Sequence, residues 1–244
     1  MTVYLVGAGP GDPGLLTVRA AELLQQADVV LYDRLVDDSI IAMIPDDTKK
    51  VYVGRTVGDD TSHQNDTNQQ MLYHAKSMKK VVRLKGGDPI IFGRGGEEAQ
   101  FLKRHSIKYE IIPGITSGIG SATYSGIPLT YRGHSSSVVF VTGHEDPLKK
   151  TESVRWQNLA KSVDTIVIMM GLSRIRTICS ELARGGMDLE TPVSVIQNGT
   201  TTKHKMITGT ISDIADIVEE SGISPPANII VGSVVNLHEE LKWR

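Results

Sequence analysis

The chain has 244 residues, 40% of them hydrophobic and 22% charged, which suits a soluble globular protein of one large or two modest domains. A net charge of −2 provides no global field toward nucleic acid or anionic membrane, so neither is expected as a partner. The longest apolar run, near Thr165–Met170, is too short to span a bilayer, and the single cysteine, Cys179, excludes an internal disulfide and suits the cytoplasm.

Strand-like and helix-like runs alternate from the start. Thr2–Gly7 opens directly as a strand, which leaves no room for a signal peptide. Short buried strands are predicted at Val3–Val6, Val29–Tyr32, Lys50–Val53, Lys80–Leu84 and Tyr109–Ile112. Helices are predicted at Leu15–Gln26, Asp37–Met43, Asp66–Ser77 and Glu97–His105. This alternation predicts βαβ units and a mostly parallel sheet over 1–113. Pro113-Gly114 then breaks the pattern, and Gly and Ser stay dense through Ser137, as in a connection between domains.

Over 114–244 a second α/β series follows. Strands are predicted at Val138–Thr142, Thr165–Met170, Val193–Gln197, Lys205–Ile207 and Asn228–Val231. Helices are predicted at Val154–Ser162, Ser173–Arg184, Ile211–Glu220 and Val234–Leu241. The short connection between Val193–Gln197 and Lys205–Ile207, which begins Asn198-Gly199-Thr200, predicts an antiparallel hairpin, hence a mixed sheet. Cys179 falls among Ile175, Ile178 and Leu182 at helical spacing and reads as a core thiol.

Several motifs carry chemistry. Gly7-Ala8-Gly9-Pro10-Gly11-Asp12 follows the first strand and partly matches a dinucleotide fingerprint. Asp12 stands at its sixth position, however, and Pro10 and Pro13 remove amides that would cradle a pyrophosphate. The segment Gly86–Gly96 holds five glycines in eleven positions, with Asp88 and Arg94, so a flat ligand can approach the main chain closely. It reads either as a ligand loop or as a long strand-to-helix connection. Asp33 ends a buried strand and reads as a reactive carboxylate or a helix cap. Arg34, Arg55, Arg83, Lys85, Arg94 and Arg132 together form a candidate cationic rim for a polycarboxylate. Met169-Met170-Gly171 ends a strand and reads as core or as ligand-pocket padding, and Asn198-Gly199-Thr200 follows a strand directly and reads as a ligand loop or as a turn. There is no Gly-x-Ser-x-Gly elbow, no HExxH and no Cys/His cluster, so a serine hydrolase of that type is disfavoured and no metal is expected.

Taken in order, these pieces resemble the tetrapyrrole methylases, which transfer methyl from S-adenosylmethionine (SAM). The carriers are Val6–Thr17, Ala27–Leu35, Arg83–Glu98, Pro113–Ser117, Tyr124–Thr130, Met170–Leu172 and Asn198–Thr200. The run Tyr124-Ser125-Gly126-Ile127-Pro128-Leu129-Thr130 points to the branch acting on uroporphyrinogen III rather than on later precorrins. The resemblance implies a two-domain α/β fold, SAM in the cleft between domains, S-adenosylhomocysteine as product and a homodimer. It implies SAM contacts from Pro10, Gly86, Gly87, Asp88, Ile91, Thr116, Ser117, Met170 and Gly199. Asp33 is implied as proton acceptor, with Arg34, Arg55, Arg94, Glu97 and Met170 toward the tetrapyrrole polycarboxylate. The implied reaction methylates C2 and C7 of uroporphyrinogen III, through precorrin-1, to precorrin-2 for sirohaem and cobalamin synthesis. Relatives often carry Lys, a proposed proton donor, where this chain has Arg55. A guanidinium stays protonated, so Arg55 is expected to grip a carboxylate instead.

Overall fold

A computed structural model of the protein describes residues 2–54, 62–77, 80–144 and 154–243, without the side chains of 62–65. The chain divides into two compact units, 1–117 and 118–244. Arg55 lies outside the described residues.

The first unit contains strands β1 (Thr2–Gly7), β2 (Val29–Tyr32), β3 (Lys49–Tyr52), β4 (Val81–Lys85) and β5 (Lys108–Ile112), with helices α1 (Val18–Gln25), α2 (Asp38–Ile41), α3 (Ser62–Lys76) and α4 (Gly95–Arg104). The strands are all parallel, in the order β3-β2-β4-β1-β5. A parallel sheet needs cover on both faces, and the inner strands β1 and β2 accordingly have apolar residues at successive positions, whereas the edge strands β3 and β5 are largely exposed. Val6, Val30, Val82 and Leu84 pack with Leu23, Leu24 and Ile40 on one face. Val3, Leu5, Leu31 and Val81 pack with Met71, Ala75 and Leu102 on the other. Each such fully buried Val, Leu or Ile contributes about 1.5–3 kcal/mol relative to exposure.

This arrangement follows from right-handed crossovers. The chain leaves β1 and β2 in one direction, placing α1 and α2 on one face, and leaves β3 and β4 in the other, placing α3 and α4 opposite. The loop after β4 therefore diverges from those after both its neighbours, β1 and β2. Such a switch point opens a crevice at the carboxyl edge of the sheet.

The second unit contains helix α5 (Ser117–Tyr124), which begins one residue before the division between the units, and strands β6 (Val138–Thr142), β7 (Thr165–Met169), β8 (Pro192–Gln197), β9 (Lys205–Thr210) and β10 (Ala227–Val231). Their order is β6-β7-β10-β8-β9, with β6 and β7 parallel and the other pairs antiparallel, including the predicted β8–β9 hairpin. Helices α6 (Trp156–Ser162), α7 (Ile175–Arg184) and α8 (Ile214–Ser221) cover one face, and α9 (His238–Leu241) closes the series.

Three local departures from the predicted elements have physical causes. The helix expected over Leu15–Gln26 begins only at Val18, where Thr17 caps it by accepting from the Ala20 amide at 3.1 Å; Pro13–Leu15 is a separate tight turn. The stretch Val234–Leu241 is a 3-10 turn, Ser233–Leu237, followed by α9. Helix α5 was not expected, because glycine and serine are weak helix formers. Its small residues serve packing instead: a side chain at Gly118 would press on Phe140 and Val167, each 2.9 Å from the added carbon.

Cys179 is 5% exposed within the α7 core, and burial pushes its thiol up to about 11, against a smaller opposing pull from Arg176. The native protein is therefore expected to resist alkylation by iodoacetamide at pH 8 and to react once denatured. Rapid native labelling, read by mass spectrometry, would contradict this placement.

Candidate active site

Four loops meet at the carboxyl edge of the first sheet. Those after β1 and β4 are joined by main-chain hydrogen bonds in both directions: Gly9 N donates to Gly87 O at 3.1 Å, and Gly87 N donates to Gly9 O at 2.7 Å. The end of β5 joins them so closely that a β-carbon on Gly114 would lie 2.4 Å from Gly87 O and 2.9 Å from Gly7 Cα. Three strand ends thus touch backbone to backbone, and only glycine permits it.

Asp88 ties this junction together. One carboxylate oxygen accepts from the amides of Ile90 and Ile91 at 2.8 and 3.0 Å, and the other accepts from Gly114 N at 3.0 Å. Beyond Asp88 the loop leaves Ile90, Ile91 and Phe92 exposed. Pro10 is half-buried, Thr116 is buried and Ser117 is half-buried at the start of α5.

The loop after β2 places Asp33 beside β4. Asp33 caps no helix; Asp37 does that for α2 through the Ser39 amide. One Asp33 oxygen, Oδ1, accepts from Arg83 Nη2 at 2.5 Å, and Lys85 Nζ stands 3.9 Å from Oδ2. Arg83 and Lys85 are therefore not part of an exposed cationic rim as expected. They are 3% and 4% exposed and paired with Asp33 and Glu98. Strand β4 is covered on both faces, so every side chain on it must find a buried partner. Burial draws the Arg83 guanidinium down, but Asp33 and Glu98 outweigh it and hold the group above the ordinary arginine value. Burial, together with the nearby Arg83 charge, lowers the Lys85 ammonium despite Glu98 and Asp33.

Glu98 was missed in favour of its neighbour Glu97. The helical spacing contained the signal, since Glu98 and Leu102 lie four apart on the buried face of α4. Glu97 is exposed and pairs with Arg94, whose Nε and Nη2 donate at 3.0 and 2.6 Å. Arg34 is exposed at the same sheet edge as Asp33.

In the second unit, Met170 follows β7 directly at φ 57° and is 52% exposed. Gly199 follows β8 and packs on α5, where an added β-carbon would meet Ser121 Oγ at 2.1 Å. Ser121 is fully buried and accepts from Asn228 Nδ2 at 2.9 Å, so it has no room to yield.

Backbone strain marks these same loops. Among the described residues six non-glycine positions have positive φ, and five of them are Phe92, Arg94, Met170, Asn198 and Thr200. Each such conformation costs about 1–3 kcal/mol and tends to persist at ligand sites. Thr200, β-branched and at φ 73°, is the least tolerant of them.

The dinucleotide alternative does not fit. Its fingerprint needs a helix beginning at the glycine loop, whereas α1 begins at Val18 and Asp12 instead receives the Gly14 amide at 2.8 Å. No helix of the described residues is long and apolar enough to cross a membrane.

Comparison with known proteins places this architecture. Residues 2–215 match the family model of the tetrapyrrole (corrin/porphyrin) methylases. Siroheme synthase from Nitrosomonas europaea is 48% identical over 242 residues, covering 99% of this chain and 50% of the relative. The chain thus spans about half the length of the curated relatives it matches. Among solved structures, uroporphyrin-III C-methyl transferase from Thermus thermophilus, complexed with S-adenyl homocysteine, is 40% identical with a TM-score of 0.83, covering 97% of this chain and 100% of that one. A cobalt precorrin-4 methyltransferase, a cobalamin biosynthetic enzyme, is 31% identical with a TM-score of 0.85, covering 96% and 95%. With the family model matched over 2–215 and the glycine loops and strand order of the first unit in place, the chain belongs to the tetrapyrrole methylases.

Proposed function

We propose that this protein is a SAM-dependent C-methyltransferase. It methylates uroporphyrinogen III at C2 and C7, through precorrin-1, to precorrin-2, for sirohaem and cobalamin synthesis. The observation that carries this reading is a carboxylate, Asp33, held by Arg83 at the same sheet edge as the glycine junction of the loops after β1 and β4. The 40% identity to the Thermus thermophilus enzyme supports the substrate.

The residues present suit SAM. Gly86 and Gly87 are half-buried beside the junction and leave main chain without β-carbons for a flat group to approach, and Ile90, Ile91 and Phe92 offer apolar cover. Pro10, Gly86, Gly87, Asp88, Ile91, Thr116, Ser117, Met170 and Gly199 are the proposed cofactor contacts. Asp88 acts by holding the loop amides in place, since both its oxygens are engaged with main chain. SAM supplies an electrophilic methyl group to an electron-rich pyrrole carbon.

The chain's own tasks are alignment and proton removal. Methylation leaves positive charge on the tetrapyrrole, and Asp33 accepts the proton whose loss restores neutrality. Arg34, Arg55, Arg94 and Met170 are the proposed tetrapyrrole contacts, with Glu97 orienting Arg94 through their ion pair. Guanidinium groups suit a substrate with eight carboxylates. The proposed state is a cytoplasmic homodimer, which sedimentation velocity tests directly.

A later precorrin as substrate is the second reading, favoured by the TM-score of 0.85 to the precorrin-4 enzyme. Anaerobic incubation with SAM and uroporphyrinogen III, followed by mass spectrometry, decides between them. A product heavier by two methyl groups is expected. Unchanged tetrapyrrole with SAM bound would move the substrate to a later precorrin, and failure to bind SAM would sink both readings.

A further inference from the structure

Among the described residues Glu98 is the only buried carboxylate, at 0% exposure. A charge this deep costs several kcal/mol unless well paired, and an apolar residue of similar size often serves stability as well. Its partners show what it does.

Glu98 Oε1 accepts from Arg83 Nε at 3.1 Å and from Lys85 Nζ at 3.1 Å, and Oε2 lies 3.0 Å from the same Nζ. Arg83 Nη1 donates to Leu84 O at 3.2 Å and reaches Leu31 O at 3.5 Å. With the guanidinium held on these sides, Nη2 is left to donate to Asp33 Oδ1. Oδ2 of Asp33 stands 3.9 Å from Lys85 Nζ, beyond hydrogen-bond distance. Asp33, with its side chain 27% exposed, is the one member of the four that water reaches appreciably.

We propose that Glu98 is a positioning residue for the base: through Arg83 it turns Oδ1 of Asp33 inward and presents Oδ2 to the reacting tetrapyrrole. The inference rests on the methyltransferase reading. In the step it serves, a C–H bond of the methylated, cationic tetrapyrrole breaks. The electron pair stays on the tetrapyrrole and quenches its charge, while the proton passes to Oδ2. The proton then leaves Oδ2 for water, which reaches Asp33 more than the other three.

A double-mutant cycle tests this. Glu98→Gln is expected to lower kcat about 10–10²-fold, the scale of a small misplacement of a reacting group, with SAM affinity and the tetrapyrrole KM unchanged. Against an Asp33→Asn background the same substitution is expected to cost nothing further, because its effect runs through Asp33. Equal losses in both backgrounds, or a loss in SAM affinity that accounts for the whole effect, would overturn the proposal. If Glu98→Gln alone does not fold, the charge-balanced Glu98→Gln/Lys85→Met pair enters the same cycle with the same expectation. A wild type that binds SAM yet methylates no uroporphyrinogen III overturns the functional reading and this inference with it. An active wild type with additive losses overturns the inference alone.

Discussion

Replacing Asp33 by asparagine is expected to lower turnover about 10²–10⁴-fold, the usual contribution of a positioned general base, while SAM still binds. Asparagine keeps the shape, and its amide oxygen can still accept from Arg83. What it loses is the capacity to take a proton. It also leaves Arg83 and Lys85 facing only Glu98, so one buried cation goes unbalanced. The stability cost should stay below that of breaking a fully buried pair, about 3–5 kcal/mol, because the Asp33 side chain is 27% exposed and water can compensate. The measurement is anaerobic turnover alongside calorimetric titration with SAM. Loss of SAM binding would make Asp33 a cofactor contact, and unchanged turnover would put the base elsewhere.

The second large effect is expected at Gly114. In Gly114→Ala the new carbon would fall 2.4 Å from Gly87 O and 2.9 Å from Gly7 Cα. Both neighbours are main chain, so no flexible side chain can yield. The ends of β1, β4 and β5 must separate, which strains the Gly114 amide bond to Asp88 and the reciprocal Gly9–Gly87 pair. Overpacking of this kind costs about 1–3 kcal/mol of stability. SAM affinity should fall about tenfold for each 1.4 kcal/mol lost from the loop's grip.

Gly96→Ala is the contrast. Nothing lies within 4 Å of its added carbon, its φ is not positive, and it sits in the first turn of α4. Alanine there should stabilise by about 0.4–1 kcal/mol through the unfolded chain. Denaturant unfolding and SAM titration of both variants separate the outcomes. A Gly114→Ala protein as stable and as tight-binding as wild type would mean the junction is not rigid.

The strands and their two-part division into a parallel and a mixed series were legible in the residue order. Runs such as Val29–Leu31 and Ile166–Ile168 are buried at successive positions and therefore apolar throughout, and the connection beginning Asn198-Gly199-Thr200 announced a hairpin. The glycine loops were legible for a related reason, since glycine leaves a trace in composition wherever backbones touch. Helix α5 escaped notice because its small residues answer to Phe140 and Val167, well away in the chain, rather than to helix propensity.

The buried charges were hidden for the same cause on a larger scale. Arg83 meets Asp33 across 50 positions and Glu98 across 15. Sequence spacing alone makes Arg83, like Lys85, a plausible surface cation. Only the pairing of β4 beside β2, with α4 laid over the sheet, takes them out of water. Periodicity is a local property of the chain and survives in its order, whereas the partner of a buried charge is set by which strands become neighbours.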